Sequence, residues 1–149
     1  MELYRILVML HVLGATVWIG GHLVLAITVL PRAMRAGDPS LVREFETAYE
    51  RIGIPSLLLQ VITGVWLAMR WIPDGMSWLP PGGPQVHLVL GKFALLLITI
   101  LLGVHARLRI IPRLDVERLA LLRAHVVAIT VTAVLFLVLG VGIRTGGLF

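Results

Sequence analysis

Five imidazoles lie in or against strongly apolar stretches that hold few other polar side chains: His11, His22, His87, His105 and His125. An ionisable side chain inside a membrane span is costly, and by default it marks a functional site. Imidazole suits haem iron, copper and zinc. The chain has no Cys, which excludes disulfides, iron–sulfur clusters and thiolate metal sites. The apolar stretches contain no Asp or Glu, so neither a carboxylate proton relay nor paired-carboxylate catalysis is expected. No phosphate-binding loop occurs. The pattern points to a metal centre held by histidines in a helical membrane bundle.

Spacing sharpens this reading. From His11, residues Gly14, Trp18 and His22 follow at i+3, i+7 and i+11. On a helix His22 then returns to within about 20° of His11, roughly 16 Å further along. His87 and His105 are 18 residues apart, five full turns, with Gly91, Ala94 and Ile98 between them on the stripe. The small Gly91 and Ala94 leave room beside the imidazoles for a flat macrocycle. His22, His105 and His125 share a depth of roughly 7–13 Å below one surface, within ~6 Å of one another. His11 lies at a similar depth from the other surface, and His87 sits at its mouth. Lys92, the sole Lys, is about as deep as His11 and about 140° away from the His87–His105 stripe.

Plainer roles compete for the same residues. His87 and Lys92 could snorkel to the interface. The inner trio could be a polar cluster that pins helices together at about 1 kcal/mol per contact. Trp18 could be core packing, and Gly20 and Gly21 could simply let helices approach closely.

The positioning elements follow from composition. Of 149 residues, 58% are hydrophobic and 14% charged, with a mean hydropathy of +0.97. A span needs about 20 mostly apolar residues. Four stretches qualify: about Ile6 to Leu30, stopped by Pro31; Ile52 to Trp71, before Pro73; Val86 to Ile111, stopped by Pro112; and Leu119 to Ile143, ended by Gly146 and Gly147. The first lacks a basic leader region, so it reads as a retained span rather than a signal peptide. Between the first two, Leu41, Phe45, Ala48 and Tyr49 form one stripe, the mark of a short interfacial helix. The connection IPDGMSWLPPGGPQ is too rich in Pro and Gly to be helical throughout, and Trp71 and Trp78 there fit an aromatic belt. The fold expected is all-α: an integral membrane four-helix up-down bundle forming one domain, 1–149.

Nine arginines flank the first and third connections, against three at the opposite face. The positive-inside rule then puts both termini outside, in a cell inner (plasma) membrane. Net charge is +5, but no basic run with interleaved aromatics occurs, so nucleic acid is not an expected partner.

The segments LHVLGATVWIGGHLVLAITVLPRAMR and LVLGKFALLLITILLGVHARLRIIPRL resemble the first and the Lys-containing helices of the copper resistance protein D (CopD-like) membrane family. The related HemJ-type protoporphyrinogen oxidases are similar in their early His, Trp-x-Gly, second-helix and Lys motifs. Those correspond here to His11, Trp18 with Gly20, Ile62 to Leu67, and Lys92. The resemblance covers the first three helices and implies copper transport or haem-linked redox chemistry, with His11 and Lys92 at positions that matter in the HemJ-type enzymes. His105 stands where CopD-like proteins more often carry Asn, and His22 and His125 add to the shared pattern. Both departures point to a metal centre at the inner end.

Two functional readings result. The leading one is a b-type haem protein with one or two haems, ligated by His22 with His105 or His125 and, for a second haem, by His11. It would act as an electron carrier or a haem-dependent oxidoreductase, with quinone, a redox protein, O2, NO or a porphyrin as partner or substrate, alone or as a homo-oligomer. The alternative is a copper-binding or copper-conducting protein using His22, His105 and His125, with His11 and His87 at the entry.

Overall fold

The computed structural model describes residues 2–71 and 84–146. Most of the expected Pro- and Gly-rich connection, including Trp78, lies outside the described residues, as does Gly147. Four long helices are present: α1 (Glu2–Ala36), α2 (Ser40–Trp71), α3 (Pro84–His105, continuing to Arg113) and α4 (Leu119–Thr145). Each is long and apolar enough to cross a bilayer, an 18-residue stretch of each having a mean hydropathy of 1.9, 1.8, 2.2 and 2.8 in chain order. Large apolar side chains such as Ile27, Ile62 and Leu108 lie on the outside, each more than 65% exposed. In water such a surface would drive association; in hydrocarbon it is the solvent-facing surface. The protein is therefore a multi-pass helical membrane bundle.

Two helices run past the prolines expected to stop them. A proline ring clashes with the carbonyl four residues earlier. In α1 the turn before Pro31 widens to a π-helix over Leu25–Val29, and the Leu30 N–H reaches back to the Leu25 carbonyl. The same device precedes Pro112. Ala106–Ile110 is π-helical, the Ile111 N–H donates to the Ala106 carbonyl, and the tighter turn Ile111–Arg113 follows. The wider turn makes room for the ring, so α1 continues to Ala36. Its true stop is Gly37, whose φ of 61° is left-handed. Asp38 then accepts from the Ser40 amide (2.9 Å) and hydroxyl (2.6 Å) and starts the next helix. The expected separate interfacial helix is corrected accordingly: from Ser40 it is continuous with the second span, passing through Pro55. The end of α4 is as expected, at Gly146 with φ 85°.

Neighbours in the chain pack as two hairpins, α1 against α2 and α3 against α4, joined mainly through α1 and α4. The fourth side of the ring, between α2 and α3, is a loose seam. At the arginine-rich end a core of Leu25, Leu30, Val42, Ile110, Leu119 and Leu122 closes the bundle, and the Arg43 guanidinium donates to the Leu114 carbonyl. There Arg107 bridges the seam to Glu50 (2.6 Å). At the other end Ala68 packs with Val86 and Val89. Between these closures a cavity remains.

Candidate functional site

The cavity has a volume of about 180 Å3 and is walled by all four helices. Trp18, Gly21 and His22 come from α1, Glu46, Tyr49, Glu50 and Gly53 from α2, Thr99, Gly103 and Arg107 from α3, and His125 from α4.

His22 is buried at 9% exposure. Its Nδ1 lies 2.9 Å from the Trp18 carbonyl, an acceptor only, so Nδ1 carries the proton and donates. Nε2 is left as a bare lone pair. The Trp18 ring tilts over the imidazole at 4.3 Å between centroids, and Tyr49 presents its edge at 6.0 Å. Tyr49 is held in turn: its hydroxyl donates to the Val17 and Trp18 carbonyls (3.1 and 3.2 Å). Its ring occupies the space that two glycines leave open. A Cβ at Gly21 would stand 2.1 Å from the Tyr49 ring, and one at Gly53 would stand 2.7 Å away.

The same tautomer logic applies to the other intramembrane histidines. The His125 Nδ1 donates to the Leu121 carbonyl (3.1 Å), so its Nε2 is an acceptor. The His105 Nδ1 donates to that Nε2 (2.9 Å), and the two rings stack at 4.9 Å. Thr63 gives its hydroxyl proton to the Leu59 carbonyl (2.6 Å), so its oxygen accepts from the His11 Nδ1 (3.0 Å). In each chain of bonds the proton sits on Nδ1 and the outermost free nitrogen is Nε2, the arrangement that second-sphere bonds impose on metal-binding imidazoles.

The expected site residues are therefore distributed as follows. His11, Trp18 and His22 share the α1 face that packs on α2, with His11 over Gly64. Of the inner trio, His105 and His125 bond directly to each other, while His22 shares the cavity wall with His125. Among the described residues no three His, Asp or Glu side chains converge as a metal shell. Lys92 is half-buried on α3, faces Phe136 and Gly140 of α4, and lies within electrostatic reach of His11. His87 is exposed. Sequence reasoning missed Tyr49, Glu46 and Glu50 as cavity residues because the apolar window of the second span begins after them. Their signal was available: Glu46, Tyr49, Glu50 and Gly53 recur at helical spacing.

Four apolar helices around a cavity lined by histidine and carboxylate define a polytopic membrane protein with an intramembrane polar site. A profile of the family described as copper resistance protein D matches residues 43–143, well over half of the chain, and the protein belongs to that family. The match runs through α2, α3 and α4, so it extends to the fourth helix, beyond the three that the resemblance covered, and begins after the α1 motif. No curated protein and no solved structure matches the chain.

Proposed function

We propose that this protein passes copper ions through the bundle, with the cavity beside His22 as the resting position of the cargo. The observation that carries this reading is the His22 Nε2 lone pair, fixed by the Nδ1 bond to the Trp18 carbonyl and left without a protein partner beside a polar cavity. Glu46 and Glu50 supply further oxygen donors at the same wall, while both nitrogens of His125 are taken up by the Leu121 carbonyl and His105. With no thioether among the lining residues, this set suits Cu(II) better than Cu(I). The lack of a closed shell fits a conductor, because a route needs sites weak enough to leave. His11 offers a second Nε2 about 16 Å along the same helix face. Lys92 near it keeps a cation from settling there.

Haem b ligated by His22 with His105 or His125 has less support. The His105 and His125 rings stack on each other rather than flank a gap, and 180 Å3 is below the ~300 Å3 lower bound of ordinary small-molecule pockets. The oxidoreductase, quinone and redox-partner readings rest on that haem and share its weakness. The positive-inside asymmetry supports an inner (plasma) membrane location with both termini outside, and the four apolar helices support a single domain, 1–149, that spans four times.

Proteoliposomes enclosing a copper indicator test the proposal. Wild-type protein is expected to admit copper well above empty vesicles. His22→Ala is expected to lower the rate about tenfold or more, the equivalent of ~1.4 kcal/mol, and His87→Ala to leave it within about twofold. Equal uptake by wild type and His22→Ala would overturn the assignment.

A further inference from the structure

A second cavity, of about 360 Å3, opens on the outer side of the α1–α4 contact at the arginine-rich end. Its apolar wall includes Ala26, Leu30, Met34 and Val127, and Arg35 and Arg123 complete it. Both arginines are exposed, and neither has a carboxylate or hydrogen-bond partner among the described residues. No acidic residue lines the hollow. Two guanidiniums at one pocket repel each other unless an anion lies between them. The flanking Ile27 and Val127 are exposed on the membrane surface of the bundle, where a molecule that carries both an anion and an apolar chain is at home.

The shape narrows the choice. Arg35 and Arg123 stand near the ends of their helices, at headgroup level. Ala26 lies nine residues before Arg35, about 13 Å deeper, and Val127 one turn beyond Arg123. The hollow therefore has a cationic mouth and an apolar shaft pointing into the hydrocarbon. Ala26 belongs to the π-helical turn of α1, where the wider winding displaces the side-chain rows, and its methyl leaves space that a larger side chain would fill.

We propose that this cavity binds an anionic phospholipid, its phosphate on Arg35 and Arg123 and part of one acyl chain along Ala26, Leu30 and Val127. Guanidinium forks match phosphate oxygens, and basic pockets between membrane helices select anionic headgroups. A free phosphate would use only the mouth; a lipid uses mouth and shaft together.

Native mass spectrometry of the full chain, released from detergent with phosphatidylglycerol or with phosphatidylcholine of identical acyl chains, tests this. Wild type is expected to retain phosphatidylglycerol about fivefold or more over phosphatidylcholine. Arg35→Gln with Arg123→Gln is expected to abolish the preference. Ala26→Leu is expected to abolish retention without altering charge, and Arg109→Gln with Arg113→Gln to leave it intact. The proposal is overturned if the Arg35/Arg123 variant keeps the preference, if the Arg109/Arg113 variant loses it equally, or if millimolar inorganic phosphate displaces the lipid. Photoactivatable phosphatidylglycerol on wild-type protein gives an answer independent of variant folding. Crosslinks within residues 26–34 and 123–127 support the site, and crosslinks spread evenly over the arginine-rich end overturn it.

Discussion

A histidine in hydrocarbon needs a reason, and the reason differs among the five. His22 is fixed on one nitrogen and free on the other; His105 and His125 satisfy each other; His11 is tied to Thr63; His87 is exposed. The Tyr49 ring beside His22 sets a sharp steric limit. Gly21→Ala is expected to cost roughly 1–3 kcal/mol by overpacking, and combining it with Tyr49→Ala should recover much of that loss in a double-mutant cycle of unfolding in detergent. An additive cycle would mean the two positions do not touch. In the turn between α1 and α2, the Ser40 hydroxyl bond, joined by the Ser40 amide, holds the Asp38 carboxyl below the ordinary carboxylate range. A lowered folded value means that this cap is fully present above the ordinary range and is lost as pH falls through the folded value. An NMR titration of Asp38 should show the depressed midpoint, and Ser40→Ala should raise it; an unchanged midpoint would contradict the cap.

At the scale of elements, the apolar runs read correctly as four helices, because about 20 apolar residues in a row have few alternatives. The ends of α1 and α3 did not read correctly. Pro31 and Pro112 carry a strong stop signal, but a π-helical turn accommodates each ring, and no residue pattern announces that turn. The stripe of Leu41, Phe45 and Tyr49 was legible as helix but not as the start of the second span, since its charged flank resembles an interfacial segment. The His105–His125 bond was beyond reach, because it depends on which faces of α3 and α4 meet. One buried link between those helices is open to measurement: the Thr99 and Thr132 hydroxyls lie 3.1 Å apart. A Thr99→Val, Thr132→Val cycle is expected to give a coupling of about 0.6 kcal/mol, typical of hydrogen bonds between membrane helices. No coupling would mean that packing alone joins α3 to α4 there.

Across the whole molecule, the ring of helices is tight on three sides and loose on the fourth, and the cavity lies inside that seam. Opening and closing the seam would expose the His22 site without dismantling either hairpin. Arg107 and Glu50 span it but are 52% and 34% exposed, so the pair contributes at most about 1 kcal/mol and leaves the seam free to move. The proposed orientation rests on the arginines. Reporter fusions are expected to place Phe149 outside and residues 37–39 inside, and cytoplasmic reporter activity at Phe149 would reverse that orientation. Electron spin-echo spectroscopy of purified protein loaded with one Cu(II) reports whether copper rests on the free nitrogen of His22. Modulation from the remote nitrogen of a coordinated imidazole is expected in wild type, lost in His22→Ala and kept in His87→Ala. The same modulation in His22→Ala, or no copper-bound imidazole at all in wild type, would contradict that assignment.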